Sequence, residues 1–270
     1  MLRAKKFLVV SYCCYIFDYN LLSPQVLVAI MNQRPCFLNS PDWKEVLHRD
    51  VKEARHPFDS LFSLVLGLPD LLNSFRKMKL ESKLSIFAND LLIQGVALRE
   101  ELQGWSENPE HTALWQTSLL RKQMPIFPLQ FSYVSNKAAA LFCLYRAALI
   151  LVNNVIIHLS SADTRALRLE NRILATEICQ SYLYSTEFSP LGNFYMGFSL
   201  RVVYMVFDEQ EKRDWILQSL NEWSSTSQDN MDNRVTAAEL EGGFDYLKHK
   251  VPLSSSHSNA KWETKEASRQ

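Results

Sequence analysis

Two polar residues interrupt the most apolar stretch of the chain. Between Ala138 and Ile157 the sequence reads AAALFCLYRAALILVNNVII, with Arg146 near its centre and Asn153 seven residues later. Seven residues are close to two helical turns, so both side chains fall on nearly the same face. A narrow polar stripe on an apolar helix suits two chemistries. It can form an ion pair or hydrogen bonds to a neighbouring helix, or it can line a ligand cavity. Arg146 and Asn153 are the candidate ligand-lining residues on the second reading. Arg201, embedded in Phe198-Ser199-Leu200-Arg201-Val202-Val203, poses the same choice, and a structural role is expected there.

Templates for catalysis fail on spacing. The chain has no G-x-S-x-G elbow, H-E-x-x-H pair, P-loop or G-x-G-x-x-G turn. His48-Arg49-Asp50 matches a fragment of a kinase catalytic loop, but Arg55 stands where that loop needs asparagine. The acidic run from Asp229 has Met231 where a calcium loop needs an oxygen ligand. Glu100 and Glu101 are adjacent, and neighbours on a helix point ~100° apart, so they read as a solvated face. The six histidines show no metal-ligand spacing. Five cysteines, Cys13, Cys14, Cys36, Cys143 and Cys179, form no C-x-x-C pair. They are expected to be reduced, with Cys143 and Cys179 acting as small hydrophobes. No catalytic residue, metal ligand or cofactor is expected in this chain.

The elements that must position Arg146 and Asn153 read as helices. The chain has 270 residues, 47% of them hydrophobic, with 29 basic and 29 acidic side chains and no net charge. That composition excludes a mainly disordered chain and a cysteine scaffold, and it lacks the basic excess of a nucleic-acid binder. Only 7 glycines leave little material for hairpin turns or phosphate-cradling loops. From Leu84 the apolar positions Phe87, Ala88, Leu91, Leu98, Leu102 and Trp105 recur at helical period. Phe58, Leu61, Phe62 and Val65 make a shorter stripe, which Gly67-Leu68-Pro69 ends. Pro69 suits the first turn of a new helix through Leu72, Phe75 and Met78.

Ser135 is a plausible N-cap for the long apolar helix, which runs to about Leu159. Ile173, Leu174, Ile178 and Tyr182 mark the next helix, Pro190 opens another through Tyr195 to Met205, and Glu211 to Trp223 makes a further one. Phe127 to Val134, bracketed by Pro125 and Pro128, reads as a loop. The expected fold is all-α: an irregular multi-helix bundle around one long buried helix, with a disordered C-terminal tail.

Three segments bear on organisation and compartment. A helical domain is expected over 1–223, a linker and marginal helix over 224–252, and a disordered tail over 253–270, where apolar anchors run out. Deleting that tail should leave the melting temperature nearly unchanged. The basic start followed by apolar Phe7 to Phe17 has the outline of a signal peptide, but Asp18 ends the run and no small-x-small cleavage site follows. Ala138 to Ile157 is long enough to span a bilayer, yet a central arginine costs ~2.5–3.5 kcal/mol there. A helix buried on all sides in a globular core fits it better.

The order of short motifs resembles the regulatory domain of fungal binuclear zinc cluster transcription factors. Gln33-Arg34-Pro35-Cys36-Phe37-Leu38-Asn39-Ser40-Pro41-Asp42-Trp43 is similar to that family's R-R-P-x-F-L-x-x-P-E-W segment. Leu68-Pro69-Asp70-Leu71-Leu72 resembles its L-P-x-L-L, and Leu98 to Trp105 its L-x-x-x-L-x-x-W ending. Tyr145-Arg146-Ala147-Ala148-Leu149 stands where the family often has Y-W-A-A-L-L. Phe198-Ser199-Leu200-Arg201-Val202 is similar to F-P-L-R-V-A, and Glu211 with Trp215 fits R-E-x-x-W. Ser199 for proline and Arg146 for tryptophan are departures. On this resemblance Pro35, Trp43, Pro69, Trp105, Arg201 and Trp215 are structural motif positions.

The resemblance implies a non-enzymatic nuclear role in regulating transcription by RNA polymerase II. Its partners would be the transcription machinery or another regulator, with a small-molecule inducer as a further candidate. That family's DNA-binding module needs six cysteines around two zinc ions, so five cysteines without C-x-x-C spacing place it outside this chain. The chain would then be the regulatory portion alone, with no direct nucleic-acid binding and no membrane. A truncated gene model, a fragment and a paralogue that lost the zinc cluster are all compatible with that. The competing reading is a free-standing helical module that binds a small apolar ligand or a protein. A membrane or secreted protein is a third, suggested by Phe7–Phe17 and Ala138–Ile157.

Overall fold

The computed structural model describes residues 23–43, 57–80, 84–112, 118–121, 124–188, 190–226 and 234–248. The expectations for the N-terminal apolar run, His48 to Asp50, the start of the acidic run at Asp229 and the C-terminal tail lie outside these residues.

Helices dominate. In chain order they are α1 (Ser23–Met31), α2 (Pro57–Val65), α3 (Leu68–Leu80), α4 (Leu84–Glu107), α5 (Pro109–Thr112), α6 (Asn136–Leu159), α7 (Arg165–Gln180), α8 (Tyr182–Phe188), α9 (Pro190–Tyr204), α10 (Gln210–Thr226), α11 (Ala237–Gly243) and α12 (Asp245–Lys248). The architecture is an all-α bundle packed around α6, whose broadest interfaces are with α9, α4 and α7. From Ala138 to Ile157 every α6 residue except Asn154 is buried.

Local chemistry sets the helix ends. The Ser135 hydroxyl accepts the Ala138 N–H at 3.2 Å and caps α6. Pro69 occupies the first turn of α3 and is buried, where its missing N–H costs no helical hydrogen bond. Asp70 near the start of α3, and Lys77 with Lys79 at its end, complement the helix dipole. In α4 a Cβ at Gly95 would lie 3.3 Å from Ile156 Cγ1 of α6. The bare glycine therefore permits the close approach of the two longest helices.

Four expectations are corrected by the packing. Leu129–Ser132, read as loop, is strand β2, paired antiparallel with β1 (Ser118–Arg121) in the register Ser118↔Ser132 to Arg121↔Leu129. Its partner strand lies eight to eleven residues upstream of Leu129, beyond Pro125 and Pro128, and the alternation of Leu129–Ser132 is only four residues long, with Gln130 rather than Leu129 buried. Phe87 is 53% exposed, because it sits on the rim of a shallow groove between α3 and α4 beside Met78 and Leu91. Ile173 is 52% exposed, since it and Leu174 project ~100° apart and α7 turns Leu174 inward. Tyr182 opens α8 rather than continuing α7.

The segment set apart as linker and marginal helix docks where it is described. α10 continues to Thr226. Val235, Leu240, Phe244 and Leu247 join the same hydrophobic core as α6. The Thr236 hydroxyl and the Glu239 carboxylate form a reciprocal capping box at the start of α11.

Candidate functional site

Arg146 is fully buried at the interface of α6 and α7. Its Nε donates to Glu177 Oε2 of α7 at 2.8 Å, and its Nη1 donates to the Tyr133 hydroxyl at 2.9 Å. Tyr133 passes the chain of donors on to Ser181 Oγ at 2.5 Å, and Ser181 donates to the Glu177 carbonyl at 2.7 Å. The guanidinium also lies 5.7 Å from the Phe131 ring and 5.8 Å from the Phe142 ring, within cation–π range. Strand β2 and its continuation to Tyr133 therefore close one side of this arginine.

Burial disfavours the arginine's charge, yet Tyr133 and Glu177 outweigh it and hold the guanidinium above the ordinary arginine value. Burial pushes the Tyr133 phenol up, so it stays neutral, and Glu177 is the counter-ion. Nearby, Cys143 and Cys179 are buried free thiols, both pushed up by burial, as small hydrophobes should be.

Asn153 anchors a second cluster two turns along α6. Its Oδ1 accepts Arg99 Nε of α4 at 2.9 Å. Its amide nitrogen donates to Glu170 Oε2 at 3.0 Å and to Asn171 Oδ1 at 2.9 Å, both on α7. Arg99 closes the set with an ion pair to Glu170 at 2.8 Å. Three helices are thus tied together through one asparagine. Between the structural and ligand-lining readings, the described contacts of Arg146 and Asn153 are all to other side chains of the fold.

Beside this cluster lies a half-open cleft of about 330 Å³. Asn154 and His158 of α6 form its floor; Arg168, Asn171 and Arg172 of α7 form one wall. Met205, Val206 and Asp208 between α9 and α10, Arg213 of α10 and Leu247 of α12 complete the lining. Asn154 links cleft and cluster, because its Oδ1 accepts Asn171 Nδ2 at 3.2 Å. Neither Arg146 nor Asn153 lines this cleft.

Glu209 braces the cleft from outside, pairing with Arg172 and, at 3.1 Å, with Lys212. Its own backbone N–H, then Lys212 and Arg172, hold its carboxyl down at about 2, from an ordinary 4.5. The carboxyl ionises more readily in the fold than in the unfolded chain. Its contribution to stability is therefore complete above about pH 4.5 and is lost as pH falls towards 2. Denaturation of wild type and Glu209→Gln should show a stability gap at pH 7 that closes by pH 2; an equal gap at both would refute this.

The six motif positions fall in different settings. Trp105 is buried, and its Nε1 donates to the Pro57 carbonyl at 3.1 Å and to Ser60 Oγ at 2.9 Å, tying α4 to α2. Trp215 meets Phe127 edge-on at 4.9 Å and Tyr182 at 5.2 Å. Trp43 packs edge-on against Phe37 at 5.8 Å, while Pro35 is exposed. Pro69 is buried in α3. Arg201 is half-buried on α9; burial lowers its affinity for the proton, and Glu239 of α11 opposes that.

Sequence reasoning missed Tyr133, Glu177, Arg99 and Glu170, which complete the two clusters, and the cleft arginines. The spacing of Arg168 and Arg172, one helical turn apart, is the only local signal of the cleft. No protein-family model, curated protein or solved structure matches this chain.

Proposed function

We propose that this chain is a non-enzymatic regulatory domain acting in the nucleus on transcription by RNA polymerase II. It corresponds to the regulatory portion of a fungal zinc cluster transcription factor, with the DNA-binding module supplied from outside these residues. The observation that carries this reading is the shared order of the motifs from Arg34-Pro35 to Trp215. Packing supports it: Leu68, Leu71, Leu72, Trp105, Phe198 and Val202 of those motifs belong to one helical core. Its partners are the transcription machinery or another regulator. The competing reading, a free-standing ligand-binding module, is favoured by the cleft between α6, α7 and α10.

Fusion to a heterologous DNA-binding domain tests the proposal. The fusion should change reporter output, in some growth conditions if an inducer is needed. The isolated chain should bind no stoichiometric zinc and no specific DNA sequence, since it has zero net charge and five cysteines without paired spacing. Specific DNA binding by the isolated chain overturns the missing-reader half. A reporter that stays silent across conditions argues for the binding module instead.

A further inference from the structure

We propose that the cleft between α6, α7 and the α9–α10 turn binds a small organic oxyanion, a carboxylate or phosphate monoester carrying a short apolar body.

The lining supplies three guanidinium groups, from Arg168, Arg172 and Arg213. They are not equally engaged. Arg172 is paired with Glu209. Arg213 donates Nε to the Phe207 carbonyl at 2.7 Å and reaches Glu241 only at 3.9 Å. Arg168, exposed on α7, has no acidic partner within 4 Å among the described residues. Its planar fork of donors is open to the cleft, and a fork of that kind matches a carboxylate or phosphate edge with two parallel hydrogen bonds.

A second donor is poorly used. The half-buried Asn154 amide nitrogen faces Met205 Sδ at 3.7 Å. A thioether is a weak acceptor, and a ligand oxygen would be a better one. Asn154 cannot turn its amide over without losing the bond that its Oδ1 accepts from Asn171. The donor is therefore held in place by the same asparagine network that ties α6 to α7.

Charge and shape narrow the ligand. Three carboxylates stand near the cleft: Asp208 in its wall, Glu209 shared by Arg172 and Lys212, and Glu241 near Arg213. Against Arg168, Arg172, Arg213 and Lys212 they leave an excess of one positive charge, which fits a single anionic group. Met205, Val206 and Leu247 supply an apolar side. A volume of about 330 Å³ lies at the small end of ligand sites. It suits an acid of metabolite size.

The cleft reads the same whether or not the chain regulates transcription, so a silent reporter fusion would leave this assignment standing. Isothermal titration of the full chain, at fixed ionic strength in chloride, should use inorganic phosphate, hexanoate and hexyl phosphate as probes. At least one tailed probe should bind saturably at one site, and whichever binds more tightly identifies the head group. Arg168→Gln should weaken that binding about tenfold, the value of one charge-assisted hydrogen bond. Asp208→Asn, which removes a repulsive wall charge, should tighten it, a gain that a misfolded variant cannot mimic. Arg165→Gln, an exposed arginine of the same helix paired with Asp163 outside the cleft, should change nothing. No saturable binding by any probe, or unchanged affinity in both Arg168→Gln and Asp208→Asn, overturns the proposal. Inorganic phosphate binding as tightly as hexyl phosphate overturns the apolar-body half of it.

Discussion

Glu177→Gln should cost the fold about 3 kcal/mol, more than removal of the arginine it pairs with. The side chains differ in exposure: Arg146 is 2% exposed and Glu177 is 31% exposed. Taking an ion out of water costs several kcal/mol, and a counter-ion must offset that. Tyr133 supplies part of that offset through its hydrogen bond, but burial keeps its phenol neutral, so the compensating charge comes from Glu177. Without Glu177 the guanidinium remains charged and buried and has lost the carboxylate that pairs with it.

Arg146→Met leaves the opposite remnant, a carboxylate already in partial contact with water. Its cost should be smaller, although the bond to Tyr133 and the ring contacts go with it. The double variant Arg146→Met, Glu177→Gln should be more stable than Glu177→Gln alone, because the buried charge has gone. Urea denaturation of wild type, both single variants and the double variant measures the cycle. A near-neutral Glu177→Gln, or strictly additive effects, would show that water reaches Arg146.

Most helices are legible because their signals are local. Ser135 before an apolar run, Pro69 after a glycine break and Pro190 before Tyr195 each mark a boundary that the fold keeps. Stripes at helical period find Leu91, Leu102 and Trp105 correctly, and all three are buried. The same rule fails for Phe87 and Ile173, because periodicity says which residues share a face and not how far a neighbour covers it. The strand pair fails for a related reason: β1 and β2 exist through each other.

For the site, sequence alone places Arg146 and Asn153 on one stripe, and the fold puts both against α7. Their partners are not legible. Glu177 is 31 residues from Arg146, and Arg99 is 54 residues from Asn153. No spacing within a helix encodes such meetings; the packing angles of α4, α6 and α7 do. The cleft is harder still, since its arginines come from two helices and its apolar side from a turn and from α12.

Leu144→Ala and Leu151→Ala should each destabilise the fold by about 2–5 kcal/mol, the range for buried leucines whose surroundings relax only in part. Both side chains are essentially inaccessible, and they lie two turns apart on one face of α6. The helix is long and apolar enough to cross a bilayer, with mean hydropathy 1.9 over its most apolar window. What separates the two settings is the surroundings: 94% of that window is buried against the rest of the chain. A leucine facing lipid trades one apolar contact for another when shortened, and its truncation leaves no cavity. A leucine enclosed in the core leaves a void that its surroundings close only in part. Denaturation in plain buffer should therefore show a loss of several kcal/mol at both positions, with unchanged helical content in the surviving native state. Near-neutral effects at both would mean that α6 meets lipid, solvent or another protein along that face, and would remove the central helix from the core on which the bundle depends.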